Sequence, residues 1–204
     1  AMPLAYYDVN LVGTLNLLDC MRRNDCNLLV FSSSATVYGQ PERCPLDELA
    51  PVSATNPYGR TKLFVEQIIN DAKAADSALS AINLRYFNPV GAHASGLIGE
   101  KPSGVPSNLV PYVAQVAAGL RERVHVFGND YPTIDGTGVR DYIHVCDLAA
   151  AHVLALEKLP ELGNTQALNL GTGRGHSVLE VIATFEQVSG HKIDFEFAQR
   201  RPGD

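Results

Sequence analysis

Apolar positions along the chain follow two spacings. Leu11, Leu15 and Leu18 fall on one helical face, which predicts a helix over residues 6–23. A short continuous apolar run follows, Leu28-Leu29-Val30-Phe31, the form of a strand covered on both faces in a parallel sheet. It ends in Ser32-Ser33-Ser34. A proline-rich loop then leads to Asn56-Pro57, a second helix is expected from there to about residue 75, and a strand over 81–86. Gly, Pro and Ser crowd residues 91–110, which read as a long functional loop. A helix over 109–120, a strand over 124–127 and a Gly/Asp/Thr loop over 128–139 come next. Helix 147–159 precedes strand 167–170. The last helix, near 178–188, opens on a capping box of Ser177 and Glu180. A final strand over 193–197 alternates apolar and charged residues. Helix and strand in alternation imply right-handed crossovers and a parallel sheet, so the expected class is α/β, a partial Rossmann-type doubly wound sheet with a smaller lobe.

Size and charge narrow the partners. At 204 residues the chain makes one large domain or a domain and a half. Its net charge is −6 with no basic run, which argues against nucleic acid or an anionic membrane as the main partner. A small anionic ligand fits, because a few arginines suffice for a phosphate. No apolar stretch is long enough for a bilayer, and no signal-peptide pattern is visible. Cys20, Cys26, Cys44 and Cys146 form no CxxC pair, the pattern of reduced thiols in a cytoplasmic protein. The six histidines are scattered without an HExxH, so no metal site is expected.

The sharpest candidate chemistry is Tyr58 and Lys62, one turn apart on the second helix, with Ser34 at the end of the preceding strand. An ammonium beside a phenol favours the phenolate, so it lowers a pKa that starts near ~10 toward that of a usable base. A serine at the C-terminal end of a parallel strand sits where ligands bind in such sheets. The pair alone is weak, since a Tyr-xxx-Lys arises by chance ~0.2 times in a chain of this make-up. A surface Tyr–Lys contact is the bland alternative. Gly171-Thr172-Gly173-Arg174-Gly175 lies between a strand and a helix, but the third glycine of a dinucleotide fingerprint falls on His176. A tight turn feeding the Ser177 cap is the better reading.

The words around these residues carry a resemblance. Phe31-Ser32-Ser33-Ser34-Ala35-Thr36-Val37-Tyr38-Gly39 and Asn56-Pro57-Tyr58-Gly59-Arg60-Thr61-Lys62 resemble the extended short-chain dehydrogenase/reductase family. The stretch from Leu84 to His93, the word Gly128-Asn129-Asp130-Tyr131-Pro132-Thr133 and the stretch from Asp135 to Val145 are similar to its UDP-galactose 4-epimerase branch. The resemblance covers essentially the whole chain. It implies NAD as cofactor, a UDP-sugar as substrate and a homodimer paired through the helices at 6–23 and 57–75.

It also implies roles residue by residue. Tyr58 matches the general base, Lys62 the lysine on the nicotinamide ribose, and Ser34 the serine on the sugar O4. Asn10, Ser32, Ser33 and Tyr86 match the cofactor's surroundings, with Tyr58 and Lys62 touching it as well. Asn88, Asn108, Leu109, Phe127, Arg140, Arg201 and Asp204 match the nucleotide-sugar site, which Ser34 shares. Guanidinium forks suit phosphate oxygens. Taken as bare residues, Arg140 equally pairs with a neighbouring acid, Asn88 caps a turn, Phe127 fills a core and Tyr86 packs as an aromatic strand end.

In the family a glycine-rich cofactor loop and its first strands precede the part matched here, and about a tenth of the family chain follows it. The chain is therefore expected to be a fragment that exposes a sheet edge and by itself neither holds NAD firmly nor turns over. The expected domains are 1–91 with 141–175 for the cofactor half, and 92–140 with 176–204 for the substrate lobe. The resemblance implies interconversion of UDP-galactose and UDP-glucose, in galactose metabolism, by transient oxidation at C4. A 4,6-dehydratase is disfavoured, because Ala35-Thr36 stands where its acidic pair would be. A sibling epimerase for UDP-N-acetylglucosamine, UDP-glucuronate or a UDP-pentose stays open. So does a non-catalytic NAD/UDP-sugar-binding regulator on the same scaffold.

Overall fold

Alternation along one strand organises the first half of the molecule. In the computed structural model, which describes residues 2–162 and 166–201, β2 (Ser80–Tyr86) runs parallel between β1 (Leu28–Ser32) and β6 (Gln166–Leu170). Its odd-numbered side chains face α3 (Pro57–Ala75): Ala81 packs with Val65 and Ile69, and Leu29 and Phe31 of β1 join them. Its even-numbered side chains face α5 (Val145–Leu162): Ile82 and Leu84 pack with Ala155 and Leu159. Helices thus cover both faces of a parallel sheet, as its continuous apolar strands require. Strand β1 is only half buried, because it is an edge of this sheet among the described residues.

The N-terminal helix begins earlier than its periodicity suggests. Helix α1 (Pro3–Tyr7) starts on a proline at its first position, and α2 (Gly13–Arg23) continues it. Between them Asp8–Val12 forms a π-helical turn that carries Asn10. The wide turn breaks the regular spacing, and Val9, Val12, Leu15 and Leu17 are exposed along this stretch.

By contacts the chain divides into two units. One is Ala1–Phe87 with Asp147–Gly171, the other Asn88–Cys146 with Thr172–Asp204. The second unit has strands that the apolar pattern did not suggest. Strand β5 (Val139–His144) runs parallel to β3 (Asn88–Val90) and antiparallel to β7 (Gly175–Ser177). This pairing carries residues 88–91, 141–146 and 172–175 into the second unit, where boundaries at 91, 140 and 175 were expected. Short strands with mixed, half-exposed residues leave no period to read.

The core of the second unit lies between α4 (Leu109–Ala117), α6 (Val178–Ser189) and the parallel pair β4 (Val124–Phe127) and β8 (Phe195–Ala198). Val113, Val116, Val124, Val126, Ile182 and Ile193 fill it. The Ser177–Glu180 box caps α6 reciprocally. Strand β8 departs from its pattern: Ile193 lies before it and is buried, whereas Phe195 and Phe197 stack edge to face in the open. An alternating stretch does not say which of its faces meets the core.

Candidate functional site

The chain end of β1 places Ser32 and Ser33 by parity, and the turn that follows places Ser34. Ser32 continues the even face, and its hydroxyl lies 3.0 Å from Nε2 of His152 on α5. Nδ1 of His152 lies 2.8 Å from the Leu148 carbonyl. Donation to that carbonyl leaves Nε2 to accept from Ser32. Ser33 continues the odd face, is fully buried and donates to Glu66 of α3. Its side chain therefore points away from any ligand, and a cofactor contact from this residue can come only from its backbone. Ser34 caps the short helix Ala35–Tyr38, where the Thr36 amide and hydroxyl both donate to its oxygen, at 3.2 and 2.9 Å. With two donors on that oxygen, the Ser34 proton is left to turn outward, and Ser34 favours the ionised form of the Tyr58 phenol.

Helix α3 brings up the other partners. Asn56 caps it through the Gly59 amide, and Pro57 stands at its start. Gly59 is needed here, since a Cβ would press on the Thr36 carbonyl at 2.8 Å. Tyr58 and Lys62 follow on one face, with the Lys62 ammonium 5.6 Å from the Tyr58 ring and 5.0 Å from the Phe31 ring. Lys62 donates to the Ser32 carbonyl at 2.9 Å. Asn10, on the π-helical turn, donates to Thr61, which donates to the Tyr58 carbonyl. The Tyr6 ring meets that of Tyr58 edge-on at 5.9 Å. Tyr86 ends β2 on the same side as His152, with ring centroids 6.1 Å apart.

The electrostatics correct one expectation. Burial raises the Tyr58 pKa above its ordinary value, Tyr86 and Tyr6 add to the rise, and Ser34 opposes it. Lys62 does not reverse the rise: its ammonium is turned toward the Ser32 carbonyl, and burial lowers its own pKa. The phenol is therefore set as an acid in this state rather than as a preformed phenolate. An ammonium carries three donors, so Lys62 can hold a diol as well as the Ser32 carbonyl. That donor set, beside a half-buried phenol and the Tyr86 ring, suits the nicotinamide ribose end of a dinucleotide.

In the second unit a cavity of about 470 Å³ is lined by Asn88, Asn108, Leu109, Phe127, Arg140 and Arg201, so one cavity brings together six of the expected substrate residues. The Arg201 guanidinium lies 4.5 Å over the Phe127 ring. Arg140 donates to the Val139 carbonyl, and Asn108 to Glu100 at 3.2 Å. Val124 and Val126 join the wall. An apolar wall with a few convergent cationic and amide groups is the make-up of a site for an anionic organic ligand. Asp204, expected on the same ligand, lies outside the described residues.

Several neighbours of these sites were not legible in the chain. His152 touches Ser32 and Glu66 touches Ser33, each from a distant segment. Tyr131 and Tyr142 also line the cavity, and burial raises the Tyr142 pKa while Arg140 opposes the rise. The turn at Thr172-Gly173 is held by Asp141, whose carboxylate accepts from both amides and from the Thr172 hydroxyl. It is a gripped structural turn. Among the described residues no group of three His, Cys, Asp or Glu could hold a metal ion, and no helix is long and apolar enough to cross a membrane.

The chain is 59% identical over 204 residues to the UDP-glucose 4-epimerase of Bacillus subtilis (strain 168), covering all of this chain and 60% of that relative. It is 57% identical over 203 residues to the UDP-glucose 4-epimerase of Homo sapiens, covering 99% of this chain and 58% of that one. Among solved structures, the UDP-glucose-4-epimerase of Stenotrophomonas maltophila with bound NAD and formylated UDP-arabinopyranose matches at a TM-score of 0.96 and 59% identity, over 100% of this chain and 60% of the other. The Bifidobacterium longum UDP-glucose 4-epimerase in complex with NAD+ and UDP matches at 0.94 and 52%, over 99% and 60%. The chain thus spans about 60% of the length of the relatives it matches. Its fold is the α/β Rossmann type of these enzymes. A family model described as NAD dependent epimerase/dehydratase matches residues 1–171, more than four fifths of the sequence, and the chain belongs to that family.

Proposed function

We propose that the protein carrying this chain interconverts UDP-galactose and UDP-glucose by NAD-dependent epimerisation at C4 of the sugar. The observation that carries the reading is the half-buried Tyr58 phenol with the Lys62 ammonium 5.6 Å from its ring and Ser34 just past the end of a parallel strand. Lys62, Asn10 and Tyr86 would hold the nicotinamide end of NAD, with Ser32 and the backbone of Ser33 beside them. When bound, NAD supplies a hydride acceptor and donor at the sugar C4.

The chain's own residues do the rest. Ser34 orients the 4-hydroxyl and Tyr58 takes its proton. Tyr58 returns the proton when the 4-keto sugar is reduced on its other face. For this the phenol must first ionise, and bringing a positive charge close to it offsets the rise that burial imposes. Arg140 and Arg201 pair with the diphosphate and ribose, Asn88 and Asn108 add amide bonds, and Leu109 and Phe127 pack the uridine. Nucleotide anchoring of this kind lets the sugar turn over without leaving.

The test is turnover of UDP-galactose by the full-length protein, followed with a coupled dehydrogenase. UDP-N-acetylgalactosamine, UDP-glucuronate and a UDP-pentose run in parallel. Conversion of UDP-galactose that Tyr58→Phe abolishes supports the reading. Turnover of another sugar alone moves the protein to a sibling epimerase. Tight NAD and UDP binding without turnover makes it a regulator.

The same reading extends to a cytoplasmic homodimer. Val9 and Leu17 on the N-terminal helices and Phe64 on α3 are exposed apolar residues that a second subunit would cover. All four cysteines are free thiols, which suits a reducing compartment. A sedimentation experiment that finds only monomer at micromolar concentration would sink the dimer.

A further inference from the structure

Behind the Tyr58 site lies a buried ionic cluster in an otherwise apolar interface. Glu66 stands on α3 one turn beyond Lys62 and two beyond Tyr58, between Val65 and Ile69 of the sheet-facing core. Glu66 and Arg85 of β2 are 3% and 7% exposed. Arg85 donates to the Glu66 carboxylate from Nε at 3.0 Å and from a terminal nitrogen at 2.6 Å. The same carboxylate accepts the Ser33 hydroxyl. On its other side Arg85 donates at 3.0 Å to the Tyr38 hydroxyl, which donates to Asn169 of β6. Tyr38 ends the short helix that Ser34 caps.

A buried ion pair is a costly way to join a helix to a sheet. Apolar residues of the same volume are often as stable or more so, and a retained pair has its best-attested use in fixing register. Here the bonds tie three segments that each carry a candidate active group: the Ser34 turn through Ser33 and Tyr38, the helix of Tyr58 and Lys62 through Glu66, and the strand ending in Tyr86 through Arg85. We infer that Glu66, locked by Arg85, is a positioning residue that sets the Ser34 turn against the Tyr58 helix through the Ser33 hydroxyl. The inference rests on the reading of Tyr58 as the acid–base group. Glu66 touches no reacting atom in this scheme. It acts through Ser33 on the placement of Ser34 relative to the Tyr58 phenol, and a shifted Ser34 would leave the phenol with less support for its charged form.

The discriminating variant is Ser33→Ala in the full-length protein. It removes the bond to the Ser34 turn and leaves the Glu66–Arg85 pair in place. Two readouts are taken: kcat and KM for UDP-galactose, and the titration of Tyr58 by ultraviolet difference spectroscopy against Tyr58→Phe. The expected result is a kcat lowered about 10- to 100-fold. KM should stay within about threefold, since uniform binding is untouched. Tyr58 should titrate at higher pH than in the parent. Glu66→Gln should give the same signature, with a lower melting temperature because Arg85 loses its charge partner. If Glu66→Gln does not fold, Ser33→Ala decides. A folded Ser33→Ala protein in which Tyr58 titrates as in the parent overturns the inference, and so does a loss of melting temperature with no change in that titration. Failure of the parent to epimerise any nucleotide sugar would instead remove the reading of Tyr58, while the titration would still decide whether Ser33 and Glu66 set Ser34.

Discussion

In the first unit, each candidate functional side chain is held by other protein groups. Ser34 takes two bonds from Thr36, Lys62 is tied to the Ser32 carbonyl, and Asn10 reaches the Tyr58 turn through Thr61. In the second unit, a cavity is lined by exposed arginines and loop amides over an apolar wall. The difference matches what each kind of chemistry needs. Proton transfer demands placement to a fraction of an ångström, which costs desolvation and strained titration. Recognition of a nucleotide tolerates side chains that settle on the ligand, because charge-assisted bonds form over a range of geometries. The buried and half-buried groups of the first unit should thus govern kcat, and the exposed ones of the second unit affinity.

That contrast can be broken by experiment, most sharply at Tyr58. Tyr58→Phe should lower kcat by about 10²- to 10⁴-fold in the full-length protein while UDP binds unchanged by calorimetry. A comparable loss of UDP affinity would contradict the division of labour. Arg201→Ala should do the reverse. Loss of a charge-assisted bond worth about 1.5–3 kcal/mol weakens UDP binding by about 10- to 100-fold, with kcat at saturation nearly intact.

Lys62→Met tests the cost of placement. Burial holds the Lys62 pKa below its unfolded value, so the folded protein is penalised wherever this lysine is charged, and that penalty fades as pH rises through its folded pKa. The variant should therefore melt higher at neutral pH, while activity is lost, and the gap should close in alkali. A lower melting temperature at pH 7 would mean that Lys62 stabilises the fold.

Tyrosine burial makes a weaker prediction of opposite sense. The Tyr142 pKa is raised, so its contribution is complete below the unfolded pKa of about 10 and is lost as pH rises through the folded value. Tyr142→Phe should flatten the alkaline fall in melting temperature and change nothing at pH 7. The smallest effect is expected at a structural cap: Ser177→Ala should cost about 1 kcal/mol by chemical denaturation. Any effect on kcat from that substitution would show the second unit to be less independent of the chemistry than its open cavity suggests.

Much of the fold could be read from the chain because its signals are local. The apolar runs of β1, β2 and β6 and the spaced apolar residues of α3 and α6 each identify their element. The Ser177–Glu180 box announces α6 three residues at a time. Strands β3, β5 and β7 left no such trace, since pairing between distant segments creates them. The π-helical turn at Asp8–Val12 was equally silent, though it is what aims Asn10 at Thr61. For the site, the spacing of Tyr58 and Lys62 and the serines after β1 were visible as words.

The sequence alone determined which residues could carry chemistry and where the longer helices and apolar strands lie, because side-chain type and helical or strand period are properties of neighbours in the chain. The tertiary structure decided where each group points and what state it is in. The parity of β1 sent Ser32 to His152 and Ser33 to Glu66, and the turn after the strand made Ser34 the cap of the next short helix. Burial turned Tyr58 upward in pKa although a lysine lies one turn away. Desolvation and hydrogen bonding depend on atoms brought together from segments tens of residues apart, so no local pattern encodes them.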